Sequence, residues 1–435
     1  MKVLIISHPS VNTYNNMGKT MLSMFSCFER EELCQFYIYP MIPDTDKCGS
    51  YFRITDKDVL RSYYKFRVLG KEIEITDDDL DKHGLFENSN DKKIYQNKNN
   101  GKPLRKLARD MMWKLSHWNI GALHTWIERE RPDCIFLAPG YQGFIYDIAE
   151  KISKRYSLPI VSYICDDYYF VKKPKSLMGK IQTSYIQGKI RKMMRQSAHT
   201  VTICDSLRDS YEKEFGCPTS TIMTGKSLAE FKEASPCDTV KGITYMGNVR
   251  CNRYIGLVEI GKALKSINER LKTDYKLYIY TSEKDSYIIG LLESVPTIKL
   301  CGFVNGEDYE RTLCSSGLLL HTEAFDEESI DLVRNSISTK IADSLSSGVC
   351  LIGYGPKQVA SMAYLIKSQG AFCITEEESL EGELEKILTD KELRNSVLEK
   401  AILAARENHD DLKNSQRLKE IMKKTKKTEE KYRDR

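Results

Sequence analysis

Thr339, Lys340 and Asp343 put a hydroxyl, a cation and a carboxylate within about one helical turn. Lys340 and Asp343 are three residues apart, so a helix presents them on one face. Ile337, Ile341 and Leu345 recur at i, i+4, i+8 and form a different, buried face. Ser338 or Thr339 can cap the start, because a hydroxyl accepts from the unpaired N–H groups of the first turn. A cation in that turn opposes the helix dipole unless an anion sits there. Helix N-termini bind anions, so a diphosphate would resolve the conflict, and the carboxylate one turn later could take a sugar hydroxyl. The alternative is an ordinary amphipathic helix with a solvated Lys340 and Asp343. Gly348 stands where a left-handed residue would end the helix. Residues 349–352, Val-Cys-Leu-Ile, read as an apolar strand of a parallel sheet, and Gly353 and Gly355 open the turn after it.

A second acidic site stands in the first half. Leu158-Pro-Ile-Val-Ser-Tyr-Ile-Cys reads as a strand, with Asp166 and Asp167 at its C-terminal end. Ligands of open α/β sheets bind outside such ends. The competing reading is a helix-capping turn. Next, residues 172–195 hold eight Lys or Arg and no acid, interleaved with Leu177, Ile181, Ile186, Ile190, Met193 and Met194. A basic amphipathic helix reads as a face for an anionic membrane or ligand, or as a solvated rim over core.

Other chemistries fail on spacing. Met17-Gly18-Lys19-Thr20 lacks the earlier glycine of a phosphate loop, since Thr13 stands there. Gly18 is then a glycine for close approach of a ligand to the first strand–helix loop. The thirteen cysteines contain no C-x-x-C pair, which excludes the common zinc and thioredoxin spacings and suggests reduced thiols in the cytoplasm. His321 has no second ligand at metal spacing, so no metal is expected.

These residues need elements to position them. A chain of 435 residues suits two domains. With 41% hydrophobic and 29% charged residues it reads as soluble, and a net charge of +5 makes no demand for nucleic acid. Met1-Lys-Val-Leu-Ile-Ile-Ser is too quickly polar for a signal peptide, and no run reaches membrane-spanning length. Residues 2–6 predict a first strand and 18–28 the helix after it. Residues 44–103 are polar and turn-rich and predict a long surface excursion. Trp113, Trp118 and Trp126 follow on helical segments as core. Strands and helices then alternate, and a second alternation restarts at Gly242-Ile-Thr-Tyr-Met-Gly-Asn. The expected class is α/β, with a first domain over 1–225, a linker over 226–241, a second domain over 242–405, and a closing helix and charged tail over 406–435.

Thr-Lys-x-x-acid-x-Leu-x-x-Gly, followed by an apolar strand and a Gly-Tyr-Gly-Pro turn, resembles the donor site of retaining group 1 glycosyltransferases, those like glycosyltransferase family four. The resemblance covers nearly all the second half and, more loosely, the strand order of the first. It implies the GT-B architecture: two Rossmann-like domains facing a cleft, an acceptor-binding first domain, a nucleotide-sugar-binding second domain, and a last helix that crosses back to the first. Asp343 matches the ribose-binding acid, usually Glu. Anchored on Gly247, the pattern puts a phosphate-binding cation at Arg253, with Lys340 as its partner, while its usual Arg after the glycine is Asn248 here. Phe303 and Val304 match the turn whose backbone reads the base. The family's two Glu separated by seven residues are not intact, because Asn335 holds the first position. Glu323, directly after a strand, is the substitute candidate for catalysis, and Asp166 and Asp167 match a region that carries a His-Asp pair in relatives.

The resemblance implies a sugar moved with retention from a nucleotide-sugar, a substrate rather than a cofactor, to a glycan or polyprenyl-diphosphate-sugar. The setting would be surface polysaccharide synthesis in the cytoplasm, peripheral on an anionic membrane through 172–195. The rivals are a nucleotide-sugar 2-epimerase of the same architecture and a sugar-binding or scaffold protein without catalysis.

Overall fold

The computed structural model describes residues 1–13, 15–64, 69–80, 86, 102–118, 121–172, 174–233, 240 and 242–433. Most of the polar stretch 81–101, Lys173 of the basic run, and 234–239 and 241 of the expected linker lie outside the described residues. The chain divides into two compact units: Met1–Thr224 together with Asp411–Arg435, and Gly225–Asp410.

Unit 1 is built on one sheet in the order β4-β3-β2-β1-β5-β6-β7-β8. Its strands are β1 (Val3–Ser7), β2 (Leu33–Tyr37), β3 (Ser50–Arg53), β4 (Lys71–Glu72), β5 (Cys134–Ala138), β6 (Ile160–Ile164), β7 (His199–Thr202) and β8 (Thr219–Thr221). All pairings are parallel except β3 with β4. Central strands β1, β2, β5 and β6 are buried along their whole length, because helices cover both faces. That is why Val-Leu-Ile-Ile and Cys-Ile-Phe-Leu-Ala read as unbroken apolar runs.

The helices that matter below are α1 (Asn16–Met24), α2 (Pro103–Leu115), α3 (Gly143–Tyr156) and α4 (Leu177–Gln196). Trp113 on α2, Trp126 on the helix Ala122–Glu130, and Trp118 in a non-helical turn are all buried. The surface excursion needs correcting at its start. Ser50–Arg53 joins the sheet as β3 in register with β2, and Asp56–Ser62 is a capped helix. A strand of four residues containing Ser and Arg offers too short a period to be seen in the sequence.

Unit 2 has the sheet order β11-β10-β9-β12-β13-β14, all parallel. Its strands are β9 (Gly242–Met246), β10 (Lys276–Tyr280), β11 (Ile298–Leu300), β12 (Leu318–Thr322), β13 (Leu351–Tyr354) and β14 (Phe372–Ile374). Three helices carry site residues: α5 (Arg253–Leu271), α6 (Gly306–Ser315) and α7 (Lys340–Leu345). The last helix, α8 (Asp411–Arg433), belongs to unit 1. It packs on α1, where Ser415 accepts from the Cys27 N–H at 3.0 Å and Lys419 bonds Glu32 at 2.6 Å.

Candidate functional site

In unit 2 the sheet order reverses between β9 and β12: β10 lies on the outer side of β9, and β13 follows β12 the other way. Open α/β sheets bind ligands outside the carboxyl ends of strands at such a point. The loops there hold Gly247, Asn248 and Arg253 after β9, and Glu323 after β12.

The β9 turn is held rigidly. The Tyr245 hydroxyl donates to the Asn248 carbonyl at 2.6 Å, and the Gly247 N–H donates to the Tyr280 carbonyl at 3.0 Å. Cys251 and Asn252 are both left-handed, with φ of 54° and 55°. Each such non-glycine residue costs roughly 1–3 kcal/mol and persists only where its surroundings enforce it. Here Asn252 is anchored by its amide donating to Asp326 at 3.1 Å. The strained turn delivers Arg253 as the first residue of α5. Its Nε and Nη2 donate to the two Glu323 oxygens at 2.9 and 3.0 Å. Burial opposes the guanidinium charge, but Glu323 outweighs it and holds Arg253 above its ordinary pKa. His321 Nε2 lies 3.6 Å from the same carboxylate. Burial pushes the pKa of that imidazole down, favouring its neutral form.

Lys340 reaches the same strand end by another route. Its Nζ donates to the Met246 carbonyl at 2.9 Å and sits 5.8 Å from the centre of the Tyr309 ring. Thr339 takes the cap position of α7 but makes no side-chain capping bond. The helix is only six residues long, too short to carry much dipole. The helix therefore adds little to the Lys340 charge at this strand end. One turn on, Asp343 accepts from the Tyr309 hydroxyl at 3.0 Å and lies 4.0 Å from Lys226 Nζ. Burial, then Asp343, push the Tyr309 pKa up.

Lys226 and Tyr309 were not expected in this cluster. Lys226 falls in the stretch read as linker, yet it is buried and bonds both Glu310 oxygens at 3.0 Å. Burial works against its charge; Asp343, Glu310 and Glu230 reverse that and raise its pKa. A lysine among turn residues gives no local signal of such burial. Tyr309 could have been suspected from its place in the first turn of the helix after the loop that holds Phe303 and Val304. In that loop Gly302 has φ +79°, Phe303 is 64% exposed, and Val304 follows half-buried. Asn335 is buried and stands apart from the Arg253–Glu323 pair in sequence, on the loop before α7. The turn after β13 packs onto Glu323, since a Cβ on Gly355 would lie 3.0 Å from the Glu323 carbonyl oxygen.

The unit 1 candidates behave differently. Asp167 Oδ1 accepts from the N–H groups of Tyr169 and Phe170, each at 2.9 Å, which makes it a turn-forming residue. Asp166 accepts from the Tyr168 hydroxyl at 3.2 Å. The close approach that Gly18 permits is that of the Asn12 side chain, whose atoms would lie 2.5 Å from an added Cβ. On α4, Lys189 pairs with Asp147 and Lys192 with Glu150, while Arg191 donates to the Tyr169 hydroxyl at 2.9 Å. Among the described residues no group of three His, Cys, Asp or Glu is placed to hold a metal ion.

An unsuspected acid lies on α2. Asp110 is buried and accepts from the Phe144 N–H at 2.9 Å, closing the start of α3 from across the chain. Burial pushes its carboxyl up to about 6 against those backbone bonds and Arg109.

No protein-family model matches the chain, and no curated protein sequence matches it either. Solved structures do. HepE of Anabaena, in complex with UDP and glucose, is 10% identical with a TM-score of 0.63, over 98% of this chain and 100% of that one. The chain has the GT-B fold. Sucrose-phosphate synthase of Thermosynechococcus elongatus is 9% identical with a TM-score of 0.62, over 97% of this chain and 98% of that one. WaaG, a glycosyltransferase involved in lipopolysaccharide biosynthesis, is 11% identical with a TM-score of 0.55, over 97% and 99%. At such identities the likeness is one of fold.

Proposed function

We propose that the chain is a retaining glycosyltransferase that moves a sugar from a nucleotide-sugar to a glycan or lipid-linked acceptor. The observation that carries this reading is that two cations from separate elements serve the carboxyl end of β9: Lys340 bonds the carbonyl of Met246, its last residue, and Arg253 opens α5 after the turn that follows. Leaving-group chemistry of this kind asks for preorganised cations where diphosphate charge develops, and those two residues would hold it. Asp343, with Tyr309 beside it, would take the ribose, and the backbone at Phe303 and Val304 the base. Gly247 and Asn248 would shape the turn that the diphosphate meets. HepE, which shares the fold, binds UDP and glucose, which favours a UDP-hexose as donor.

In unit 1, Asp166 would be the acid that meets the acceptor, with Asp167 holding the turn beside it. The acceptor would be met at an anionic membrane surface. Leu177, Met178 and Ile181 at the start of α4 are exposed beside the exposed Lys175 and Lys180. α4 packs against α2, whose Leu104, Met111 and Leu115 are also exposed. Among the described residues no helix is long and apolar enough to cross a membrane.

The deciding experiment incubates the protein with UDP-, GDP- and ADP-sugars. Release of free nucleotide with an elongated acceptor supports transfer. Interconversion of the sugar would replace it with epimerisation, and binding without turnover with a sugar-binding protein.

A further inference from the structure

We infer that Glu323 is a positioning residue for Arg253, tempering and aiming its guanidinium, and that it does not act on the sugar. The inference rests on the donor-site reading above. Both Glu323 oxygens are engaged by one guanidinium in a forked, charge-assisted pair. The pair is largely shielded from solvent on the carboxylate side, with side chains 4% and 18% exposed for Glu323 and Arg253. Its carboxylate partner is fixed from behind: the Glu323 N–H donates to the Tyr354 carbonyl at 2.9 Å, and Gly355 packs on its backbone. To reach a sugar, Glu323 would have to give up part of this pair inside a buried site, where unpaired charge is costly.

The fork uses Nε and Nη2 of Arg253, so Nη1 is the edge left over for an anion. A phosphate arriving there meets an arginine whose charge is already answered by a carboxylate. Affinity for the leaving nucleotide is thereby moderated, while the guanidinium plane stays fixed.

The test is a double-mutant cycle read by calorimetric titration with UDP and GDP, which lack the sugar. A group that works on the sugar leaves those affinities unchanged. If Glu323 acts through Arg253, Glu323→Gln tightens nucleotide binding by about tenfold, because the competing charge is gone while the amide oxygen still accepts one arm of the fork. The same substitution in an Arg253→Gln background then has no effect on affinity. An unchanged affinity for Glu323→Gln with a collapse in turnover overturns the inference, as does an equal effect in both backgrounds. Should Glu323→Gln fail to fold, Arg253→Lys in the otherwise unaltered chain replaces it. A lysine keeps the charge and cannot span both oxygens, so binding weakens about tenfold; an unchanged affinity overturns the inference. A wild type that binds neither UDP nor GDP sinks the donor reading itself. Thermal unfolding of the two single variants and the double still reports the pair: each single melts lower, and the double recovers part of the loss.

Discussion

The candidate acids of the two units are satisfied in different ways. In unit 2, candidate residues distant in sequence are paired with each other. Arg253 and Glu323 are 70 positions apart, and Lys226 and Asp343 more than a hundred. In unit 1 the acids flagged at a strand end satisfy neighbours two and three residues on, and two cations of α4 pair with the helix packed beside it. A charged residue satisfied from its own turn has a structural reason to be there. One held by a partner from another element, at a switch point of the sheet, has been assembled for something else.

The largest effects should therefore come from unit 2. Lys340→Ala and Arg253→Ala should each lower nucleotide-sugar kcat/KM by about tenfold to a hundredfold, since a hydrogen bond to a charged group contributes roughly 1.5–3 kcal/mol. Their effects should multiply, because under the proposed reading they would approach the diphosphate from different elements. Circular dichroism should show the fold retained. Unaltered kinetics in both variants would remove the donor site and leave the comparison between units without its functional side.

Next comes Asp110, a buried acid of unit 1 that is held from another element. Its carboxyl is raised from an ordinary 3.8 to about 6 by burial. The folded chain thus holds that proton more tightly than the unfolded chain does. The contribution is complete below about pH 4 and is lost as pH rises through 6, with a limit of roughly 3 kcal/mol. Asp110→Asn should cancel that slope. The difference in unfolding free energy between the variant and the wild type, from urea titrations at several pH values, should grow in the variant's favour from pH 4 to 7. A constant difference would mean that Asp110 is not titrating in this window.

The fold was legible because its signal is periodic. Apolar runs alternating with amphipathic stretches state a parallel sheet twice over, and the second restart at Gly242 falls at the head of β9. Local site features were legible for the same reason. Lys340 and Asp343 share a turn, so one helix brings both to the β9–β12 region. The Arg253–Glu323 pair was not legible as a pair: each residue was flagged alone, and nothing in either segment refers to the other. Asp110 was invisible because an Asp in a Lys- and Arg-rich helix reads as a solvated charge. Asp167 shows the converse. Its position outside a strand matched a ligand site and also a turn, and the carboxylate accepts from two N–H groups of that turn.

A smaller effect separates the two neighbouring acids. Asp167→Ala should lower stability by about 2 kcal/mol, the sum of two lost bonds of about 1 kcal/mol each, and leave nucleotide KM within twofold. Asp166→Asn should spare stability and lower kcat. Thermal unfolding and steady-state kinetics on the same two preparations would settle it; equal behaviour of the pair would erase the distinction between a turn-former and an acceptor-side acid.

The smallest effect concerns α4, where one helix contains both kinds of charge. Lys192 is committed to Glu150, which also bonds Lys154 at 2.6 Å, so its neutralisation leaves that carboxylate paired. Lys180 is exposed next to the exposed Leu177 and Ile181. A cation at an anionic surface contributes about 1 kcal/mol. Lys180→Gln should then weaken binding to phosphatidylglycerol-containing vesicles by about fivefold, and Lys192→Gln by less than twofold. The apolar residues divide in the same way: Ile190 and Met194 are core, whereas Leu177 is 73% exposed and available to the interface. Sedimentation with acidic vesicles at low salt checks this, and binding should fall as salt screens the surface. If the wild type stays in the supernatant under those conditions, the exposed end of α4 is a solvated surface and the acceptor is a soluble one. If Lys192→Gln weakens binding as much as Lys180→Gln, the ion pair with Glu150 does not shield its lysine, and the rule drawn from comparing the two units fails on the helix where both cases sit side by side.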